Sequence, residues 1–341
     1  MLVSVIITAI RWDAHLDRAV ASIAAQRLPV DVGVEIAVAL AEPESAGSRR
    51  DVLVMDNPGG SIPAGLNRAA SMTRGEILVR VDSRCHLQPD HVSRMVAGLR
   101  DTRVGSVGGA QLVTDRGLFG SAYAVAFNSP MLGPSRYRFS RTSGPTDSPY
   151  LGAWRRDTFE ALGGFDERWL RNQDNDLAER VQAEGLEVRY DADAVVGYVA
   201  GRSLLGMLRH HYSFGWWRMA QRKQGGQGLA PRHVIVVGVM AVGAGTGLAA
   251  LLRPRTRRWA VALGITAYGG AVAGAWTTAA RLRMARPDLE LAPFHPVGVI
   301  AAPALAAVID AGWLLGLVRG RRAAGGRQPI ENHSGVRSDP G

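Results

Sequence analysis

Asp82 and Asp174 are the two residues best placed to do chemistry. Asp82 closes the run Ile77-Leu78-Val79-Arg80-Val81-Asp82, which follows Gly75 and reads as a short strand buried on both faces of a parallel sheet. Ligands of open α/β sheets bind outside the carboxyl ends of the strands, so an acid there can meet a substrate or its metal; the alternative is a turn-capping aspartate. Asp174 heads a helical stretch in Arg171-Asn172-Gln173-Asp174-Asn175-Asp176-Leu177. The helix dipole favours its carboxylate, which suits a group that accepts a proton at neutral pH; the alternative is again a cap, with Asp176 as a second acid.

The elements that must position these acids follow from hydrophobic period and punctuation. Strands are read at Val3–Thr8, Val34–Leu40, Val52–Met55 and Ile77–Asp82, and helices at Asp13–Ala25, from Ser61 to Gly75, and at Pro89–Arg100, where Ser61 serves as N-cap and Pro63 fits the first turn. Repeated strand, helix, strand means a mostly parallel sheet covered by helices, an α/β fold. Val104–Pro149 loosens into Gly-, Ser- and Pro-rich segments, the kind of region that carries substrate contacts. Order returns at Tyr150–Arg156, then at Asp157-Thr158-Phe159-Glu160, read as a capping box, and Gly163-Gly164 ends that helix. Asp174 follows on the next helix, ended by Gly185, and Glu187–Tyr190 reads as a returning edge strand.

The formal charge of +10 does not point to nucleic acid. Residues 233–341 hold twelve arginines and five acids, +7 of the total, beside long apolar runs, as arginines that flank a membrane do. Cys85 is the single cysteine, which leaves no intrachain disulfide. The first residues read as a strand rather than a leader, which places the amino-terminal domain in the cytosol. No paired His/Cys pattern suggests zinc, and no glycine pattern after the first strand suits a dinucleotide.

Residues 204–232 mix Trp, Phe and Tyr with Arg, His and Lys, a composition suited to an amphipathic segment at the membrane interface. Three apolar segments follow, Val234–Leu252, Trp259–Ala280 and Pro296–Val318, each near the ~20 residues that cross a bilayer. Either all three span, or the first enters and returns at Gly243–Gly247 while the others form a hairpin, which puts Arg253–Arg258 and Arg319–Arg327 in the cytosol. Asp310 in the third should face other helices, a cavity or a headgroup. The expected division is 1–203 catalytic, 204–232 interfacial, 233–318 membrane and 319–341 a disordered basic tail.

Four stretches in order resemble family 2 glycosyltransferases with a GT-A fold, and more narrowly the succinoglycan-type membrane glucosyltransferases of bacterial exopolysaccharide synthesis. They are Pro63-Ala64-Gly65-Leu66-Asn67, Arg80-Val81-Asp82, Gly163-Gly164-Phe165-Asp166-Glu167 and Arg171–Leu177, and the conjunction is more specific than any one piece. The resemblance implies an inverting transfer of a hexose from a nucleotide sugar, UDP-glucose first, to a lipid-linked saccharide on the cytosolic face of the cell membrane. It makes Asp174 the base and assigns donor contacts to Thr8, Glu42, Asn57, Asn67, Arg80, Asp82 and Arg84. It assigns acceptor contacts to Asp147, Trp154, Asp166 and Gln173. Asp82 would meet a divalent cation, Mg²⁺ or Mn²⁺, at the leaving diphosphate.

The chain departs from the family pattern twice. Arg84 stands where a second Asp or a His is usual, so either Asp82 and water hold the cation, His86 substitutes, or Arg84 itself offsets phosphate charge. Glu42 is the substitute for the family's acid after the second strand. Asn57 and Asn67 suit ribose or base, or serve as turn and cap residues; Trp154 stacks on a sugar or lies in the core; Arg136 lies in the loose region. Two rival functions are a sugar-nucleotide nucleotidyltransferase, which needs no membrane anchor, and a non-catalytic assembly or export component, which binds donor without turnover.

Overall fold

In the computed structural model of the chain the described residues are 1–49, 51–129, 140, 142–148, 150–201, 203–223, 238, 241–243, 245–248, 252, 254–285 and 294–322. Contacts divide them into two units, Met1–Gln111 with Ser140–Val199, and Leu112–Phe139 with Ala200–Arg322.

The first unit is built on a sheet whose strand order is β3-β2-β1-β4-β8-β6-β9-β5, with β7 on β9. The parallel half comes from β1 (Leu2–Ala9), β2 (Gly33–Leu40), β3 (Leu53–Asp56) and β4 (Ile77–Asp82). Three helices alternate with these strands: α1 (Ala14–Ala24), α2 (Ile62–Ser71) and α3 (His91–Gly98). Asp13 caps α1 by accepting from the amides of His15 and Leu16, and Ser61 caps α2 through the Ala64 amide, so each helix starts where its side-chain oxygen satisfies an orphan donor.

The other strands extend the sheet with antiparallel pairs: β5 (Cys85–Leu87), β6 (Val104–Val113), β7 (Gly144–Pro145), β8 (Tyr150–Arg155) and β9 (Glu187–Tyr198). β9 runs twelve residues and lies between β6 and β5, not at an edge. Glycines hid β6 inside the loose-looking segment. A Cβ at Gly109 would collide with the Ala194 carbonyl of β9, so the low strand propensity of glycine reflects a close backbone approach.

Period-two alternation divides the core. Val3, Val5, Ile7, Val79 and Val81 pack on one face with Leu16, Val20 and Ile23 of α1. Ile6 and Leu78 face the other side, with Leu66 and Ala69 of α2, Phe159 of α5 (Arg156–Ala161), and Leu177, Ala178 and Val181 of α6 (Gln173–Ala183). α5 begins two residues earlier than expected, and Asp157 sits inside it rather than capping it. Gly163 and Gly164 follow at φ of 78° and 69°, where any other residue would be strained.

The second unit holds α4 (Gly117–Phe127), α7 (Leu204–Lys223), α8 (Pro254–Ala285) and α9 (Pro296–Arg322). Among the described residues the helical unit takes in 112–129, within the 1–203 of the expected catalytic domain. α7 is not a helix with one apolar and one polar face: its buried residues include Met207 and Trp217 but also Ser213, Arg218 and Gln221. It packs along α9. Gly215 meets the Trp313 carbonyl and Gly316 meets that of Tyr212, the small-residue contact that lets two backbones approach.

Two stretches, Arg257–Arg281 and Pro296–Arg321, are long and apolar enough to cross a membrane. Of the expected first apolar segment only scattered residues are described, among them 243 and 245–247 of its expected bend, which are helical. Most of the basic tail and Arg136 lie outside the described residues.

Candidate active site

β4 carries Leu78, Arg80 and Asp82 on one face, because side chains two apart share a face. Leu78 enters the core beneath α2 and α6. Arg80, two residues on, is 7% exposed, and Asp82 reaches the open carboxyl edge at 31%. On α6, Asp174 lies one turn before Leu177 and Ala178, which are buried; residues three and four apart share a helix face. The packing that sinks Leu177 therefore turns Asp174 towards β4.

Arg80 joins the two acids. Its Nε and Nη2 donate to Asp82 Oδ1 at 3.1 and 2.8 Å, and its Nη1 donates to Asp174 Oδ1 across 94 positions of sequence. The other oxygen of Asp82 accepts from the Tyr150 hydroxyl at 3.2 Å, which also touches Cys85 Sγ at 3.2 Å. Burial, then the nearby Cys85 and Asp82, push the Tyr150 phenol well above its ordinary value, so it stays a donor. Burial also raises the Asp174 carboxyl; Arg80 opposes this, and the Asp82 charge adds to it. Arg80 itself is held protonated: burial disfavours its charge, but Asp174 and Asp82 more than offset that.

The carboxyl edge of the parallel half gathers several of the expected donor residues. Thr8 pairs with Asp82 in register. Its hydroxyl accepts from the Asn57 amide at 3.1 Å, and Asn57 also donates to the Ser61 carbonyl at 3.0 Å. Asn57 is 3% exposed, which makes it a turn residue. Glu42 stands after β2, exposed, with Arg11 at 3.9 Å. Arg84 occupies the turn between β4 and β5, and His86 lies on β5 against Gly197. Cys85 joins the Asp82 side of that strand, so alternation turns His86 to the other face, and burial lowers its affinity for a proton.

Asn67 has a different task from the one expected. Its amide donates to the Phe165 carbonyl at 2.8 Å and its oxygen accepts from the Phe165 amide at 2.9 Å, which locks the loop after α5 onto α2. Arg180 of α6 holds the same loop through the Leu162 and Gly164 carbonyls at 2.6 and 2.8 Å. Asp166 is paired with Arg168, whose hydrogen bonds keep its carboxyl below the ordinary range despite partial burial. Gln173 is buried at the head of α6. Trp154 is 3% exposed, with its ring centroid 5.8 Å from Phe159 and 5.6 Å from Phe165. Trp154 thus packs in the core of the first unit. Asp147 is exposed and accepts from the Ser148 amide at 3.2 Å.

Tyr150 escaped the sequence reading. The antiparallel register Ile77 to Arg155, Leu78 to Trp154 and Val79 to Ala153, carried three residues further, sets Asp82 opposite Tyr150. Pairing those two strands was the signal that would have found it.

A carboxylate at a strand end and a second at the head of a helix laid over it, held apart by one guanidinium, suit group transfer from a bound donor to a hydroxyl. The arrangement on an α/β sheet suits a glycosyltransferase, the class to which the family match assigns the chain. The chain belongs to glycosyl transferase family 21, whose model matches residues 63–304 and so takes in Arg80, Asp82 and Asp174.

The chain is 27% identical over 167 residues to succinoglycan biosynthesis protein ExoA of Rhizobium meliloti (strain 1021), which is 48% of this chain and 51% of that protein. It thus spans about half the length of the curated relative it matches. Among solved structures it is similar to Staphylococcus aureus TarS 1-349 in complex with UDP (TM-score 0.43, 15% identity, 64% of this chain and 66% of that one). It is also similar to the mannosyltransferase PcManGT from Pyrobaculum calidifontis in complex with GDP-Man and Mn²⁺ (TM-score 0.48, 19% identity, 91% and 86%).

Proposed function

We propose that the protein transfers a hexosyl group, glucose from UDP-glucose as the first candidate, to a lipid-linked saccharide with inversion. The reaction belongs to exopolysaccharide or envelope-glycan synthesis at the cytosolic face of the cell membrane. The observation that carries this reading is the pair Asp82 and Asp174 at the carboxyl edge, joined through Arg80. Asp174 takes the proton of the acceptor hydroxyl as its oxygen bonds to the anomeric carbon. The bond from that carbon to the phosphate oxygen breaks, and the nucleoside diphosphate leaves with the electron pair. Burial raises the proton affinity of Asp174, as suits a general base.

A divalent cation fits this site in one mode. Among the described residues there is no cluster of three or more His, Cys, Asp or Glu side chains able to hold a metal. Asp82 is a single carboxylate with two N–H donors on one oxygen and one O–H donor on the other. A carboxylate offers about four lone-pair sites, which leaves room for a cation that takes its other ligands from phosphate and water, as Mg²⁺ does. Asp82 would be its protein contact, and the cation would offset the charge of the leaving diphosphate.

The membrane setting is supported by α8, whose Trp259, Leu263 and Ile265 are 67%, 61% and 69% exposed. Candidate spans of 25 and 26 residues are about 37–39 Å long at ~1.5 Å per residue, enough for a ~30 Å bilayer core. If both cross, the arginines that precede the first and follow the second lie on one side, as the positive-inside tendency requires.

The test is nucleotide release by membranes containing the full chain. A donor panel led by UDP-glucose is supplied with polyprenyl-linked saccharide extract and Mg²⁺ or Mn²⁺, beside Asp174→Asn and a chelated sample. Acceptor-dependent release that disappears in Asp174→Asn supports the reading; release that survives the substitution removes Asp174 as base. Donor binding without turnover across the panel removes the transfer itself.

A further inference from the structure

We infer that Arg80 is a positioning residue for the transfer: its guanidinium fixes the separation between the donor-side carboxylate Asp82 and the base Asp174. The inference rests on the function proposed above. Family resemblance made Arg80 a donor contact, but its side chain is 7% exposed and three of its donor nitrogens are committed within the triad. The charge that would reach a nucleotide sugar directly is not this one.

Three features make the geometry a fixed spacer. The carrier strand cannot shift, because Val79 and Val81 on its opposite face are fully buried. The carrier helix is equally held, since Leu177 and Val181 are fully buried and Arg180 ties α6 to the loop after α5. Between them stands a planar fork that holds two carboxylates in fixed directions, which the rotatable donors of a lysine ammonium do not do. Tyr150 steadies the far oxygen of Asp82. Both acids nevertheless keep an open side, with side-chain exposures of 31% and 38%. A donor at Asp82 and an acceptor hydroxyl at Asp174 would therefore meet at a distance set by Arg80, and misplacement by about 1 Å costs such a reaction about 10²-fold in rate.

The experiment compares wild type with Arg80→Lys in the full chain. It measures kcat and KM for nucleotide release from the donor that the wild type turns over, UDP affinity by calorimetry, and thermal melting. The expected result is a kcat about 10²-fold lower, with UDP affinity within about threefold of wild type. An unchanged kcat overturns the inference, and so does weaker UDP binding with kcat intact, which would make Arg80 a donor contact. If Arg80→Lys melts below the assay temperature, the cycle of Asp82→Asn and Asp174→Glu reads the same coupling. Through a shared guanidinium the two losses in kcat fall short of their product by more than threefold, and losses that multiply to within threefold overturn the inference. A wild type inactive with every donor refutes the proposed function instead, and is seen before any variant is made.

Discussion

The sheet of the first unit holds a partly buried arginine at one end and a buried one at the other, and the two are wired differently. At the amino edge, Arg156 donates to the carbonyls of Gly75 and Ala70 at 2.6 and 2.9 Å and to the hydroxyls of Thr73 and Ser4 at 3.1 and 3.3 Å. Nearby, Glu35 Oε1 accepts from Ser4 Oγ and from the amides of Arg74 and Gly75 at 2.7, 2.6 and 2.9 Å. Burial acts to raise the Glu35 carboxyl, but those three hydrogen bonds win and hold it below its ordinary value. At the carboxyl edge Arg80 faces two carboxylates, and both acids remain partly open to solvent. Arg156 ties chain segments to one another, whereas Arg80 holds acids that still have capacity for a ligand. Two guanidiniums on one sheet thus separate stability from chemistry.

Substitution at each end should separate the two effects. Asp174→Asn should lower kcat by about 10³-fold, or about 4 kcal/mol of transition-state stabilisation, with thermal melting close to wild type. Arg156→Met should act in reverse. Leaving two carbonyls and two hydroxyls short of a donor costs about 3 kcal/mol of stability, read in urea unfolding, while kcat of the folded protein stays within twofold. A large kcat loss in Arg156→Met, or a large stability loss in Asp174→Asn, would break the comparison.

His91 is a third kind of buried polar group and sharpens the contrast, since it is fully buried and neither ring nitrogen has a hydrogen-bond partner. Burial drives its pKa from 6.5 down to about 4; the neighbouring Asp90 and Asp191 oppose this and Arg94 adds to it. Between those values the unfolded chain binds the proton and the folded chain does not. Stability is therefore whole above about pH 6.5, falls as the pH drops towards 4, and levels off below it. The full span is at most about 3 kcal/mol. His91→Leu should flatten the dependence of urea midpoint on pH in that window and leave transfer at pH 7.5 unchanged; an unaltered slope would show that another group carries it.

The parallel half of the fold was legible because its signals are local. The β-branched run Val3–Thr8, the cap Ser61 and the glycines after α5 each act within a few residues. Asp82 and Asp174 were legible as strand-end and helix-head acids. Their connection was not, because it spans 94 positions and depends on α6 being laid over β4. The clamp made by Asn67 was hidden for the same reason, its partner lying 98 positions away. β6 was hidden by glycines whose purpose is visible only beside β9. The composition of α7 suggested an interface, while its packing depends on glycines of each helix that meet the backbone of the other. What the sequence reading missed is long-range pairing, above all strand register.

Tyr150, placed by that register, gives the smallest effect and the finest test of the comparison. Its hydroxyl supports the oxygen of Asp82 that Arg80 leaves alone. Tyr150→Phe removes that one donor and keeps the ring against Tyr198, 6.4 Å between centroids, so packing should survive. Loss of one hydrogen bond to a charged group is worth about 1.5–3 kcal/mol at most, and about 1 kcal/mol where water replaces it at a partly open oxygen. The expected outcome is a rise in KM for donor or cation of about fivefold with kcat within twofold, because Arg80 still spaces the two acids. If instead kcat falls and KM holds, Asp82 turns on its own axis without Tyr150, and the spacing belongs to the Arg80–Tyr150 pair rather than to Arg80 alone.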